Sequence, residues 1–138
     1  TLFHEIVAQC SYPYQQEEIL SYANSYGYAL KDYDIKQILA LNSNALYASW
    51  MNEKHVFEQS YIIKEKKQVV HGFMDLVIYK EDEIIIIDFK TDATDNENKL
   101  IDMYAAQLQT YKHSMERITD LPIKTYIYAF SLFKCILL

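Results

Sequence analysis

Apolar residues recur at helical spacing through the first third of the chain. A helix is predicted over residues 1–10, before Pro13, from one apolar face made by Leu2, Phe3, Ile6, Val7 and Cys10. A second helix is predicted over residues 15–26, because Gly27 supplies the residue type that commonly follows a helix end. Two further helices are expected: one over residues 34–41, and one that has its N-cap within Asn42-Ser43-Asn44 and ends at residues 50–52.

From His55 onward the pattern favours strands. Strands are predicted over residues 56–63, 68–79, 83–90, 123–130 and 132–138, with a helix over 99–117 after a polar connection. Gly72 lies inside the second strand, which indicates a bend or a close backbone approach. The order of elements predicts an α/β (α+β) fold, with a small mixed β-sheet flanked by helices.

Two of these strands carry an acidic residue that apolar packing alone would not select. The run Ile84-Ile85-Ile86-Ile87 is apolar on both faces, as in a covered central strand, and it ends in Asp88. Lys90 points to the same side as Asp88 because side chains alternate along a strand. Asp75 lies on the neighbouring strand of a predicted hairpin. The structural alternative is an ordinary ion pair at a strand end, whereas two carboxylates beside a lysine indicate a site for a hard cation.

Composition limits the function classes. The 138 residues are expected to form one domain, 1–138, and two cysteines are too few for a four-cysteine iron–sulfur cluster. Cys10 and Cys135 are interpreted as buried free thiols of a reduced, cytoplasmic compartment. The net charge of −6 argues against a free-standing nucleic-acid binder, unless acidic metal ligands contribute to it or a larger machine delivers the strand. No apolar run reaches membrane-spanning length, so no membrane partner is expected.

Three other polar residues have both an ordinary and a functional interpretation. His4 lies beside the apolar stripe of the first helix, where a histidine hydrogen-bonded at the edge of the core is common. Gln107 and Tyr111 are four residues apart on one face of the predicted helix 99–117, which is an ordinary spacing for an interacting pair. Taken singly, each favours the structural interpretation.

Taken together, these residues resemble the RecB-type branch of the PD-(D/E)XK nuclease superfamily. Within it they resemble the C-terminal nuclease domain of AddA/RexA helicase–nucleases, whose pattern is G-T-L-x-H, G-x-x-D, D-x-K-T-D and Q-x-x-x-Y. The corresponding segments are Thr1-Leu2-Phe3-His4, Gly72-Phe73-Met74-Asp75, Asp88-Phe89-Lys90-Thr91-Asp92 and Gln107-Leu108-Gln109-Thr110-Tyr111. The opening glycine of the family would precede Thr1. Because Thr1 stands within a helical pattern and is not Met, we expect the chain to be the C-terminal part of a longer helicase–nuclease.

The resemblance implies a metal-dependent deoxyribonuclease of the exonuclease type. Its Mg²⁺ or Mn²⁺ would be held by His4, Asp75, Asp88 and the main-chain carbonyl of Phe89. The residues implied in catalysis are Asp75, Asp88 and Lys90, where Lys90 positions the attacking water and stabilises charge on the phosphate. Supporting or DNA-contacting roles are implied for Gln107, Tyr111 and Glu58, which resembles an acidic residue on the first strand of the family.

The resemblance also implies partners and exclusions. DNA, as a single strand or a duplex end, is the implied substrate in recombinational repair. The implied protein partners are the helicase region of the same parent chain and a second subunit of the AddB/RexB type. No ATP site is expected within this chain, since G-x-x-x-x-G-K-[ST] is absent. Two alternatives remain open: a non-catalytic DNA-end-binding or scaffold module on the same fold, and a free-standing phage or restriction-type nuclease.

Overall fold

The fold is a five-stranded mixed sheet with helices on both faces. The computed structural model describes all 138 residues. The helices are α1 Leu2–Gln9, α2 Gln16–Ser25, α3 Asp32–Leu39, α4 Ala45–Met51 and α5 Glu97–Glu116, with 3₁₀ turns at Ala40–Ser43 and Phe130–Leu132. The strands are β1 Lys54–Glu65, β2 Gln68–Tyr79, β3 Ile84–Lys90, β4 Ile123–Ala129 and β5 Lys134–Leu137. No helix is long and apolar enough to cross a membrane.

The sheet topology places β3 at the centre. The strand order is β1-β2-β3-β4-β5, and only β3 and β4 run parallel, connected by the crossover helix α5. The other neighbouring pairs are antiparallel. The predicted mixed sheet flanked by helices is therefore confirmed.

Most predicted element bounds differ from the structure by one or two residues, and the predicted strand 68–79 is correct at both ends. The predicted strand 56–63 is two residues too short at each end. The predicted helix 34–41 is placed too late, because α3 begins at Asp32 and its last turn tightens to 3₁₀ geometry. The last strand is shorter than predicted because a 3₁₀ turn and the left-handed Phe133 precede it.

Two helix ends follow the predicted local signals. Gly27 has a φ of 76°, and the N–H of Tyr28 donates to the carbonyl of Ala23, the hydrogen bond of a Schellman motif that ends α2. Asn44 caps α4, since its Oδ1 accepts the Tyr47 N–H at 2.9 Å.

The central strand separates two apolar clusters, as its continuous apolar sequence predicts. Ile85, Ile87 and Phe89 face the helices α1, α2 and α4 through the cluster that contains Trp50 and Tyr128. Ile84 and Ile86 face α5 through the cluster that contains Leu108 and Met115. Because the alternation continues past the isoleucines, Asp88 and Lys90 project on the α5 side.

Beyond β3, strands β1 and β2 continue as a two-stranded ribbon, residues 59–74. Glu58 has a φ of 54°, outside the range of a regular strand. The alternation changes there: Phe57 packs on the α1 side of the sheet, whereas Tyr61 packs on the α5 side. One face of the ribbon therefore covers α5, and the other remains open to solvent.

Gly72 is required by the packing of this ribbon. A Cβ at this position would lie 2.6 Å from the hydroxyl oxygen of Tyr61, which is its partner across β1 and β2. The close approach predicted at Gly72 therefore comes from an aromatic side chain and not from a backbone. Tyr61 in turn packs edge-on against Tyr111 of α5, with ring centroids 5.5 Å apart.

Gly72→Ala is expected to destabilise the protein by about 1–3 kcal/mol, because the new methyl group displaces the Tyr61 ring from its packed position. Chemical denaturation would measure the loss. The matched control is the same substitution in a Tyr61→Ala background, where the methyl group meets no ring and the additional cost is expected to disappear. An equal cost in both backgrounds would contradict the packing explanation.

Candidate functional site

The candidate site lies where the hydrogen-bond ladder between β2 and β3 ends. The last paired residues are Leu76 and Ile87, so Asp75 and Asp88 are the next positions along the two strands. Instead of continuing the ladder, the Asp75 side chain accepts the Phe89 N–H at 2.8 Å through Oδ2. The strand ends separate at this point, and two carboxyl groups come together in the opening.

His4 of α1 reaches the same opening from the opposite face of the sheet. Its Nε2 lies 2.9 Å from the Phe89 carbonyl oxygen and 3.1 Å from Asp75 Oδ2. Because both partners are acceptors, Nε2 carries a hydrogen, and on the other side of the ring Nδ1 contacts the Thr1 hydroxyl. His4 is therefore a hydrogen-bonded histidine at the edge of the core, and the groups that it contacts there also belong to the candidate site.

Lys90 connects the carboxyl pair to α5. Its Nζ lies 2.7 Å from Asp88 Oδ2 and donates to Gln107 Oε1 at 3.0 Å. Gln107 Nε2 donates in turn to the Tyr111 hydroxyl at 2.9 Å. Gln107 and Tyr111 are four residues apart, an ordinary spacing for a pair on a helix surface. Here their hydrogen bonds link Lys90 to the core, where Tyr111 is buried.

Tyr104 contacts Lys90 and Asp92 holds Tyr104, and neither residue was predicted from the sequence as a site residue. The Nζ of Lys90 lies 3.8 Å from the ring centroid of Tyr104, a cation–π contact. The Tyr104 hydroxyl donates to both carboxylate oxygens of Asp92, at 2.9 and 3.1 Å. Their spacing could have indicated Tyr104, because Tyr104, Gln107 and Tyr111 follow one another at intervals of three and four residues on one helix face.

The two carboxyl groups have opposite pKa shifts. Burial raises the pKa of Asp88 to about 7; the charge of Asp75 and a hydrogen bond between the two carboxyls add to this effect, and Lys90 opposes it. Burial also acts to raise the pKa of Asp75, but hydrogen bonds from His4, Asp88 and the Phe89 N–H outweigh it, so the net pKa is lowered. The surroundings therefore favour the protonated form of Asp88 and the ionised form of Asp75.

The donor atoms fit a hard divalent cation by their chemistry. Asp88 is 3% exposed, and its Oδ2 has no hydrogen-bond donor, because Lys90 approaches it outside hydrogen-bonding angles. That oxygen, Asp75 and the Phe89 carbonyl are the ligand types that Mg²⁺ takes. No three histidine, cysteine or acidic side chains converge on one point as arranged, since Nε2 of His4 is turned to Phe89 and Asp75. A cation bound between the two carboxylates would offset the repulsion that helps to raise the pKa of Asp88.

Glu58 is not brought into this cluster by any contact. It is skipped in the β1–β2 ladder, between the pairs Phe57–Leu76 and Gln59–Met74, and it is exposed with no hydrogen bond or ion pair. Its positive φ turns the strand at this point.

Cys10 and Cys135 are both free, but only Cys10 is buried and Cys135 is half-buried, so the prediction of two buried thiols is wrong for Cys135.

Comparison with known families matches residues 1–132 with the PD-(D/E)XK nuclease superfamily. The chain belongs to this superfamily. The match includes every element described above from α1 to β4, so the predicted resemblance is confirmed over nearly the whole chain. As in the superfamily name, an aspartate and a lysine are separated by one residue, here Asp88 and Lys90 on β3.

Curated relatives of this PD-(D/E)XK chain include three ATP-dependent helicase/nuclease subunits of the AddA type. The one from Syntrophomonas wolfei is 29% identical over 107 residues, covering 70% of this chain and 9% of that protein. The one from Ligilactobacillus salivarius is 39% identical over 75 residues, covering 54% of this chain and 6% of that protein. The one from Clostridium botulinum is 31% identical over 71 residues, covering 51% of this chain and 6% of that protein. The chain is homologous to these proteins and spans less than a tenth of their length.

Proposed function

We propose that this chain is a divalent-metal-dependent DNA nuclease that hydrolyses phosphodiester bonds. The observation that carries the proposal is the meeting of Asp75, Asp88 and Lys90 where the β2–β3 ladder ends. An ordinary ion pair at a strand end would be solvated, whereas Asp88 is almost fully buried beside a second carboxyl group. Membership in the PD-(D/E)XK nuclease superfamily supports the same chemistry.

The residue roles follow from the contacts of Lys90. Its ammonium group is proposed to position the attacking water and to stabilise charge that develops on the phosphate. Gln107 and Tyr104 hold that ammonium by a hydrogen bond and a cation–π contact, and Asp92 fixes the Tyr104 ring. Tyr111 anchors Gln107 from the core. These α5 residues are positioning residues, and only Lys90 is proposed to face the reacting phosphate.

Mg²⁺ or Mn²⁺ is the proposed cofactor, held by His4, Asp75, Asp88 and the Phe89 carbonyl. When bound, such an ion lowers the pKa of a coordinated water and neutralises charge on the scissile phosphate. His4 becomes a ligand only after Nε2 loses its hydrogen, and Nδ1 can then donate to the Thr1 hydroxyl that it contacts. An imidazole nitrogen in the set favours Mn²⁺ in competition with Mg²⁺.

We further propose that the chain acts within a longer helicase–nuclease that processes DNA ends for recombinational repair in the cytoplasm. The homologous proteins support this, since their names combine a helicase and a nuclease and most of their length lies outside the matched segment. The partners proposed are the helicase region of the parent chain and a second nuclease subunit of the AddB/RexB type. The substrate is DNA, as a single strand or a duplex end.

The direct test is incubation with end-labelled single-stranded and duplex DNA in Mg²⁺, in Mn²⁺ and in EDTA. Cleavage that requires the metal and shortens the DNA from an end is the expected result. Binding without cleavage in either metal would contradict the proposal and favour a non-catalytic DNA-end-binding module on the same fold.

Millimolar Mn²⁺ or Mg²⁺ is expected to raise the melting temperature of the protein, because an ion that binds only the folded state stabilises it. At a hundred times the dissociation constant the gain is about 2.7 kcal/mol. Thermal denaturation with and without metal measures the shift, and Asp75→Ala should lose it. The control Asp120→Asn changes an exposed aspartate outside the site and should keep it. No shift in the parent protein would contradict a working metal site.

A further inference from the structure

The open face of the ribbon carries a contiguous apolar and aromatic surface. Across the β1–β2 register, Ser60 pairs with Phe73, Ile62 with His71 and Lys64 with Val69, so all six side chains share one face. Ile62 is 62% exposed, Val69 66% and Phe73 56%, in contrast to the buried face that covers α5. The rings of His71 and Phe73 lie 5.3 Å apart and form an aromatic pair at the site end of this outer face.

The tip of the ribbon is basic in an acidic chain. Residues 59–74 contain three lysines and one glutamate, a net of +2, whereas the whole chain carries −6. Lys64, Lys66 and Lys67 are exposed around the β1–β2 turn, and they line one open cavity with Glu65, Gln68 and Arg117, which follows α5. No apolar residue lines that cavity. The ribbon thus carries a local net positive charge in an acidic chain, and its outer face also carries the exposed aromatic pair.

The outer face leads directly to the candidate site. Phe73 precedes Asp75 by two residues on β2, a separation of about 7 Å along an extended strand. From Gln68 at the tip to Met74 the strand extends about 20 Å. The outer face looks away from α5, so a ligand that lies along it reaches from the lysines at the tip to the side of the opening where His4 of α1 meets Asp75.

We propose that this outer face binds a single strand of DNA and delivers it to the site, a proposal that rests on the nuclease function above. His71 and Phe73 supply the stacking surface for bases, and Lys64, Lys66 and Lys67 contact phosphates. Aromatic stacking with a basic track is how proteins hold single strands without reading sequence. A duplex offers no free base faces except at its end, so the exposed aromatic pair selects for the unpaired strand.

The first measurement is the affinity of the full 138-residue chain for a fluorescent oligothymidine in EDTA, where no cleavage occurs. Because the chain as a whole is acidic, we expect weak binding, with a micromolar or higher dissociation constant. Phe73→Ala is expected to weaken it about tenfold. Lys66→Gln/Lys67→Gln is expected to lower the slope of log affinity against log salt by about 1.4, or about 0.7 for each lost phosphate contact.

Matched controls use residues that are equally exposed but lie elsewhere. Tyr26→Ala at the end of α2 removes an aromatic ring that is 63% exposed, and Lys31→Gln/Lys36→Gln removes two exposed lysines near α3. Both should bind like the parent protein. All four variants should keep the parental melting curve and the parental rate on bis(p-nitrophenyl) phosphate, a substrate too small to reach the ribbon.

The outcomes separate this proposal from the proposed function. If the parent protein cleaves DNA and the Phe73 and lysine variants bind and cut like it, the outer face is not the DNA track. Equal losses in the ribbon variants and their controls would also overturn it. If Phe73→Ala instead dissolves a concentration-dependent dimer in sedimentation with unchanged DNA affinity, the face is a protein interface. If the parent protein cleaves neither DNA nor bis(p-nitrophenyl) phosphate, the proposed nuclease function fails. The affinity measurements in EDTA then still test whether the outer face binds single-stranded DNA.

Discussion

Lys90→Ala is expected to reduce the rate of DNA cleavage by at least about 10²–10³-fold, the usual cost of removing one group that stabilises transition-state charge. The ammonium of Lys90 pairs with Asp88 in the opening, and two α5 side chains hold it in place. Asp75→Ala is expected to have an effect at least as large, because it removes both a proposed ligand and the acceptor of the Phe89 N–H.

The fold is expected to survive both changes, because neither side chain belongs to the two apolar clusters. Single-turnover cleavage with saturating metal, measured beside a melting curve, checks both statements. Tyr104→Phe is the matched control for Lys90: it retains the ring below the ammonium and loses only the hydrogen bond to Asp92, so most of the activity should remain. Full activity in a folded Lys90→Ala or Asp75→Ala protein would exclude the proposed site.

In the metal-free protein, Asp88→Asn is expected to increase the free energy of unfolding at pH 8 by up to about 4 kcal/mol. The value follows from the raised pKa of Asp88, about 7 in the folded protein against 3.8 as the usual value, at about 1.4 kcal/mol per pKa unit. Lys90 loses its charged partner in this variant but keeps the hydrogen bond to Gln107 and the cation–π contact with Tyr104, and the loss reduces the gain. An amide keeps the shape of the protonated carboxyl group and cannot ionise beside Asp75.

The sign of the pH dependence follows from proton linkage. Between about pH 4 and 7 the folded protein holds the Asp88 proton and the unfolded chain releases it, so the stability of the parent protein falls as pH rises. Asp75 acts in the opposite sense because its pKa is lowered. Its ionised form stabilises the folded protein above the usual pKa of an aspartate, and this stabilisation is lost as the pH falls through the lowered pKa. The advantage of Asp88→Asn should therefore grow from pH 4 to pH 7.

Urea denaturation in EDTA at pH 5 and pH 8 measures that growth. The exposed Asp120→Asn variant serves as the control and should show no comparable increase between the two pH values. A difference between Asp88→Asn and the parent protein that stays constant with pH would show that Asp88 is ionised throughout. The same variant should also lose the stabilisation by metal, since the amide is a poorer ligand for a hard cation than a carboxylate.

Features that depend on neighbours along the chain could be predicted from the amino-acid sequence. The run of four isoleucines indicated a strand covered on both faces. Gly27 and the run Asn42-Ser43-Asn44 marked two helix ends because capping bonds are local, and the structure shows that Asn44 is the cap. The alternation of side chains along β3 put Asp88 and Lys90 on one side. The ordered motifs around His4, Asp75, Asp88 and Gln107 were sufficient to indicate the superfamily, which the match over residues 1–132 confirmed.

How these residues meet depends on the folded arrangement of distant segments. The opening between Asp75 and Asp88 depends on where the β2–β3 ladder ends, and the change of face at Glu58 depends on its positive φ; neither leaves a periodic signal in the sequence. The support of Lys90 by Tyr104 and Asp92 brings together a strand end, a connection and a helix. The pKa of Asp88 likewise arises from burial and a like charge contributed by another strand. Such contacts and electrostatic effects act through space between distant segments, so they are settled only when the chain has folded.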